Sequence, residues 1–301
     1  MKQFLKRLVV FFIIFFIIDK CFIVVRNASA GFEADKRLEQ IINKQIDAKI
    51  LVFGSSRGAR NVIAQQITDS LGKKAFNLSY PGSNIEFHDY LLEQTLKFNP
   101  KPETVILVVD GAFELPELAS IKFRYDRLFP LVKYEPVRET LVEKGIKNKV
   151  MMKLFVLHQL NLNNFLLYKK NFSSIDTVFN DGSMPVSFQS PKFSGYYDTT
   201  THNYSIASED KIKLAAFISF IDRCNKNNIQ LILAFPPNYF HSPQASADRL
   251  ESLAAGKASF MFYDSSRKEF RDPAYYFDYS HLTRKGAVVF TDEIISYLKK
   301  H

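Results

Sequence analysis

Two short segments, far apart in the chain, hold residue types that could do chemistry together. Gly54-Ser55-Ser56-Arg57 follows the apolar run Ile50-Leu51-Val52-Phe53, and Asp278-Tyr279-Ser280-His281 precedes the last helix-like stretch. A hydroxyl is a weak nucleophile at neutral pH. A serine enzyme therefore needs an imidazole within hydrogen-bond reach and a carboxylate that holds the imidazole in one tautomer. An Asp three residues before a His supplies both from one loop. Each segment also has a plainer reading: Ser is a preferred helix N-cap, and Asp278 with His281 could cap the final helix and show an imidazole to solvent.

The elements that must position these residues are legible as an alternation. Helix-like Ala34 to Gln45 leads to a strand at Ile50 to Phe53, a helix over Ala59 to Leu71, a short strand at Ala75 to Leu78 and a helix from Ile85 to Phe98. Thr104 to Val109 is a continuous apolar run, as expected of a strand buried on both faces. A helix over Asp210 to Asn225, a central strand at Ile229 to Phe235, a weaker strand at Phe260 to Tyr263 and a helix from Thr283 to Lys300 complete the order. This predicts an α/β fold, a parallel sheet covered on both faces in a three-layer α/β/α sandwich. Residues 115–206 break the pattern, apart from a helix expected at Lys147 to Asn161, and read as an insertion after the third strand. Ligands bind outside the carboxyl ends of such strands, so the insertion is expected to form part of a substrate cleft. Ser56 and the Asp278 to His281 loop fall on that same edge, as does Asn77 to Asn84, in which Gly82 can offer an unobstructed backbone N–H.

The N-terminus indicates location. Lys2, Lys6 and Arg7 precede an apolar run from Leu8 to Ile18, which resumes after Asp19-Lys20 and ends at Val25. Leu8 to Val25 is about the length that spans a bilayer core. A cleaved signal, with Asn27-Ala28-Ser29-Ala30 as the cleavage site, and a buried core helix are the alternatives. Asp19-Lys20 sits late for a signal and suits an uncleaved anchor over 1–26. The basic flank keeps residues 1–7 cytoplasmic and sends 27–301 across the membrane as a single-pass protein with an extracytoplasmic domain.

Composition fits one anchored globular domain. The chain is 47% hydrophobic with 29 Phe and 14 Tyr, enough for a sizeable core. The net charge is +9, but the first 26 residues hold five cations against one anion, leaving a modest +5 for the rest. That argues for an ordinary solvated surface rather than nucleic-acid binding. Only Cys21 and Cys224 are present, so no intramolecular disulfide is expected, and Cys224 reads as a small core residue. His88, His158, His202 and His301 lack companions at metal spacing, and no metal or cofactor is expected; His241 lies after a central strand where it could line the cleft. Asp110 reads as a solvated strand-end carboxylate and Arg57 as a solvent-facing residue at a helix start, or else a guide for anionic substrates.

The chain resembles the SGNH hydrolases, also called the GDSL family, and especially their membrane-anchored relatives that work on cell-envelope polymers. In that family the serine stands third in a G-D-S-like block after the first strand, which maps onto Gly54-Ser55-Ser56. The next block gives a glycine N–H to the oxyanion hole, a place that Gly82 fits. The last block, D-x-x-H, is matched by Asp278 and His281. The resemblance implies a flavodoxin-like sheet and acyl chemistry through a serine ester, with Ser56 as nucleophile, His281 as base and then acid, Asp278 as orienter, and the Ser56 and Gly82 N–H groups as oxyanion donors. The family's third block carries an Asn, whereas this strand ends Val109-Asp110-Gly111. Asn84 or a backbone N–H near Gly111 are the candidate replacements.

The function expected is an acyl-ester hydrolase or O-acyltransferase acting on an envelope or exopolysaccharide hydroxyl. Its partners would be an acylated glycan or acyl donor, the membrane, and a membrane-bound protein that supplies the donor. The alternative is a non-catalytic relative that binds glycan or assists assembly in polysaccharide biosynthesis. A dinucleotide site at Gly54 to Arg60, like the glycine-rich turn of short-chain dehydrogenases, is disfavoured: Arg60 occupies the third glycine position, and no Tyr-x-x-x-Lys sits at a suitable distance.

Overall fold

The computed structural model describes residues 1–166, 173–200 and 203–301. In chain order its helices and strands are α1 (Lys2–Cys21), α2 (Ile23–Phe32), α3 (Arg37–Ile42), β1 (Ile50–Gly54), α4 (Ser56–Asn61), α5 (Ala64–Leu71), β2 (Ala75–Asn77), α6 (Ile85–Phe98), β3 (Thr104–Val108), α7 (Tyr125–Leu128), α8 (Glu135–Glu143), α9 (Lys149–Leu154), α10 (Val156–Gln159), α11 (Leu162–Leu166), α12 (Lys211–Lys226), β4 (Gln230–Phe235), α13 (Gln244–Ala254), β5 (Ser259–Phe262) and α14 (Arg284–Lys300).

By internal contacts the chain forms two compact units. One comprises Asn43–Phe123 and the described residues of Phe172–His301; the other comprises Met1–Ile42 and the described residues of Arg124–Asn171.

The larger unit is built on a five-stranded parallel sheet in the order β2-β1-β3-β4-β5. Ile50 pairs with Ala75 on one side and Thr104 on the other, and Val108 pairs with Ala234. β1 and β3 are buried at every position, which is why they read as unbroken apolar runs. Ile50, Val52, Ile106, Val108, Ile232 and Ala234 face a core completed by Val62, Ile67, Phe290 and Ile294 from the α4, α5 and α14 side. On the opposite face, Phe53 meets Phe220 of α12 edge to face at 5.5 Å, and α12 packs beside α6. The α/β expectation holds. The order places β2 and β3 on either side of β1, so the carboxyl end of β1 is the switch point where ligands gather in such sheets.

In the smaller unit α1 and α2 are separated only by Phe22, and Lys2–Phe32 is long and apolar enough to cross a membrane. Two ion pairs brace the segment between α2 and α3: Arg127 of α7 meets the buried Glu33 at 2.9 Å, and Arg37 at the start of α3 meets the buried Asp35 at 2.6 Å. The helix expected over Lys147 to Asn161 is broken at Phe155, whose backbone is extended.

Candidate active site

Gly54 ends β1 with φ +153°, and a Cβ there would lie 2.8 Å from the Val108 carbonyl oxygen, so β1 can approach β3 this closely only with glycine. The chain then enters α4. Ser55 is its N-cap, its Oγ accepting from the Arg57 N–H at 3.3 Å and donating to Asp110 Oδ1 at 2.6 Å. Ser56, the first helical residue, stays partly exposed and turns the other way. Its Oγ lies 2.7 Å from His281 Nε2, and His281 Nδ1 lies 2.8 and 2.9 Å from the two Asp278 oxygens. An ionised Asp278 can only accept, so the proton belongs on Nδ1 and leaves Nε2 free to accept from the serine hydroxyl.

The loop carrying the imidazole is held by its neighbours. The Ser280 and His281 N–H groups donate to Asp278 Oδ1 at 2.8 and 2.9 Å. The Leu282 N–H donates to Asn61 Oδ1 at 2.9 Å, which fastens the loop to the end of α4. Part of the insertion, residues 173–200, supports it from outside: the Arg284 N–H reaches the Val186 carbonyl at 2.7 Å, and Ser194 Oγ meets the Tyr279 hydroxyl at 2.7 Å. Burial alone would raise the Asp278 carboxyl. The hydrogen bond from the His281 ring, the charge of that ring when protonated and the two backbone N–H groups outweigh burial and hold the carboxyl below its ordinary value.

Beneath the serine lies a buried charge cluster that corrects two sequence expectations. Arg57 does not face solvent; its guanidinium is buried, donating to the Val109 and Pro236 carbonyls at 3.3 and 2.9 Å and to Asn238 Oδ1. Asp110 is likewise buried rather than solvated. The reason is the same for both: their partners are remote in sequence, the loops after β3 and β4 for Arg57 and Ser55 after β1 for Asp110. The Asp110 N–H donates to Glu114 Oε2 at 2.7 Å. Burial, and then the nearby Asp110 charge, push Glu114 up to about 8, so at neutral pH it holds a proton. Burial also raises Asp110, against the pull of Arg57 and the Ser55 hydroxyl.

The expected oxyanion residues occupy the same edge. Asn77 Nδ2 donates to the Gly58 and Val62 carbonyls at 2.9 and 3.0 Å, locking the loop after β2 against α4. Within that loop Gly82 has φ +70°. Asn84 caps α6: its Oδ1 accepts from the Phe87 N–H at 3.2 Å and its Nδ2 donates to Glu86 at 3.0 Å, which takes one of its two amide hydrogens. Gly111 has φ +61° and sits with its Cα hydrogen directed toward Arg57 and Ser242. No hydrogen bond joins Gly82, Asn84 or Gly111 to Ser56 or His281 among the described residues. A cavity of about 220 Å³ opens at the carboxyl ends of β3, β4 and β5, bordered by Arg57, Gly111, Tyr197, Asn238, His241 and Tyr263.

The remaining histidines separate cleanly. His88 is fully buried, its Nε2 2.8 Å from Ser83 Oγ, and burial lowers it to about 3. Ser83 Oγ donates to the Tyr80 carbonyl at 2.6 Å, so the imidazole is the donor to Ser83 and props the loop that carries Gly82. His158 accepts from the Asn148 N–H, and the His301 ring lies tilted against Tyr297. His202 lies outside the described residues. No cluster of three or more His, Cys, Asp or Glu suited to a metal ion occurs among the described residues. Sequence reasoning missed Arg60, one helical turn beyond Ser56. Its buried guanidinium lies over the Phe277 ring at 5.4 Å, and Nε has no hydrogen-bond partner among the described residues. The i, i+4 spacing from Ser56 was the available signal.

No protein-family model matches this chain. No curated protein matches it either. Among solved structures, the Vlm2 thioesterase domain with genetically encoded 2,3-diaminopropionic acid, bound with a dodecadepsipeptide, is similar with a TM-score of 0.27 and 13% identity, covering 85% of this chain and 93% of that one. A likeness at that TM-score carries no argument about the present fold or site.

Proposed function

We propose that this chain is a serine-dependent acyl-ester hydrolase or O-acyltransferase of the SGNH type, anchored by its N-terminal helix with the sheet domain outside the cytoplasmic membrane. Its substrate would be an acylated hydroxyl of an envelope polymer or exopolysaccharide. The observation that carries this reading is the unbroken chain of hydrogen bonds from Ser56 Oγ through His281 to Asp278, at 2.7 and 2.8 Å.

In the reaction, Ser56 Oγ attacks the ester carbonyl carbon while His281 Nε2 takes the hydroxyl proton. The tetrahedral oxyanion is met by the Ser56 and Gly82 N–H groups. His281 then returns the proton to the departing alkoxide, leaving an acyl-Ser56 ester. In the second half a water or a sugar hydroxyl attacks that ester, with His281 again taking and returning one proton. Asp278 keeps the imidazole in the required tautomer throughout and stabilises its charged form. The open placement of Ser56 suits a polymer better than a small enclosed substrate.

The absence of an Asn after β3 favours a second reading, a glycan-binding or assembly protein that keeps the geometry without turnover. Intact-protein mass spectrometry of the full chain in detergent, after exposure to a fluorophosphonate, separates the two. An adduct that disappears in Ser56→Ala supports the acyl-transfer reading; an unmodified protein supports the binding one.

A further inference from the structure

Asp19 and Lys20 interrupt the apolar run of the anchor, and their place along it is informative. A helix rises about 1.5 Å per residue, so Asp19 stands about 16 Å beyond Leu8 and Arg26 about 27 Å beyond it. Against a hydrocarbon core about 30 Å thick, Arg26 reaches the far boundary and the two charges lie well inside it. Charged side chains at such depth pair with one another or with backbone groups.

The structure supplies those partners from the insertion. The Asp19 carboxylate is fully buried: Oδ2 accepts from the Val156 N–H at 2.8 Å and Oδ1 from the Leu157 N–H at 2.9 Å. Lys20 Nζ donates to the Leu154 carbonyl at 2.6 Å and to Asp19 at 3.1 Å. Phe155, at the break between α9 and α10, packs against Phe15 and Phe16 at 6.0 and 6.4 Å between ring centroids. Those two rings lie about 10 to 12 Å beyond Leu8, so a ring touching them from the side shares their depth. Further out, Phe165 of α11 meets Phe22 at 6.1 Å. Beside the exposed Lys149, Lys153 and Asn163, these helices turn large apolar side chains outward: Val150 is 61% exposed, Leu154 49% and Leu162 71%. Lys149 and Lys153 border one polar pocket with Arg26, the residue that marks the far boundary.

We propose that residues 149–166 form a re-entrant membrane element, which dips through the outer leaflet beside the anchor and brings Phe155 past the bilayer midplane. Lipid acyl chains cover Val150, Leu154 and Leu162, while Lys149 and Lys153 extend to the headgroup phosphates. Asp19 is thereby sealed from lipid by the Val156 and Leu157 N–H groups, while Lys20, a third exposed, is held by the Leu154 carbonyl. This inference is independent of any chemistry at Ser56.

Full-length protein reconstituted in phosphatidylcholine–phosphatidylglycerol vesicles tests it, using Cys21→Ser as background and single labelled positions at Leu154→Cys and Val150→Cys. Ile13→Cys is the reference within the span and Tyr196→Cys the exposed reference. A polarity-sensitive fluorophore at 154 and 150 is expected to be quenched by doxyl groups on the lipid acyl chains as strongly as at position 13. Quenching at 13 with none at 154 and 150, matching position 196, overturns the proposal. Absence of quenching at all four positions overturns it as well, because the anchor itself would then lie outside the bilayer. Both tested side chains are already exposed, so neither substitution removes a buried contact.

Discussion

Ser55 and Ser56 are adjacent in the chain yet serve different partners, Ser55 donating to buried Asp110 at 2.6 Å and Ser56 lying 2.7 Å from His281 on the partly open side of α4. Ser55→Ala is therefore expected to lower stability by about 1 to 2 kcal/mol, from the lost cap and an unpaired buried carboxylate. It should leave fluorophosphonate labelling in place. Ser56→Ala should do the reverse, and denaturant melts alongside intact mass measurements distinguish the two.

Asp278→Asn keeps the shape of the orienting residue but removes the charge that fixes the Nδ1 proton. Acyl turnover is expected to fall by about 10³ to 10⁴-fold, following what such a change does in serine enzymes generally. The same residue predicts acid behaviour. Its carboxyl is held below its ordinary value in the folded state, so it adds stability above the unfolded value of about 4, and this is lost as pH falls through the folded value. Melting temperatures followed downward from pH 5 should drop less steeply in the variant.

Glu114 behaves oppositely. Its folded value, about 8, lies above the unfolded one, so between about pH 4 and 8 the unfolded chain releases a proton that the folded chain retains. Stability falls with rising pH across that window. Glu114→Gln imitates the protonated side chain and should flatten the decline, giving a higher melting temperature than the parent at pH 8 and a similar one at pH 4.

Gly58 lies where α4 meets the loop after β2. A Cβ there would stand 2.4 Å from Ser79 Oγ and 2.9 Å from Ser79 Cβ, both in a fully buried side chain. Gly58→Ala is expected to cost about 1 to 3 kcal/mol and to disturb the loop carrying Gly82. Gly31→Ala, with nothing within 4 Å, is the control and should be neutral or slightly stabilising in chemical denaturation.

What could be read from the sequence depended on how local its cause is. β1, β3 and β4 were legible because burial on both faces forces apolar runs, and α6 was legible to the residue because Asn84 caps it and Asn99-Pro100 ends it. The helix expected over 59–71 is instead α4 and α5, separated where the Val62 carbonyl goes to Asn77 and the Ile63 N–H to Thr291 Oγ1. Neither partner is visible from that stretch alone. α13 was missed because few of its residues are buried, among them Leu250 and Ala254, so its apolar stripe is thin. Ser56, His281 and Asp278 could be proposed from residue type and spacing, and the structure brings their side chains together. Arg57, Asp110 and Glu114 could not, since charged residues look alike in sequence whether solvated or neutralising one another in the interior.

Ser56 and His281 are 225 residues apart in the chain, and the imidazole arrives just before α14. A polypeptide emerging N-terminus first exposes its serine early and its base almost last. On the proposed orientation, the hydroxyl travels through export with no partner to activate it. Reactivity would then switch on only when the domain closes, a built-in delay that spares the secretion machinery and neighbouring lipids from a half-assembled acyl-transfer centre.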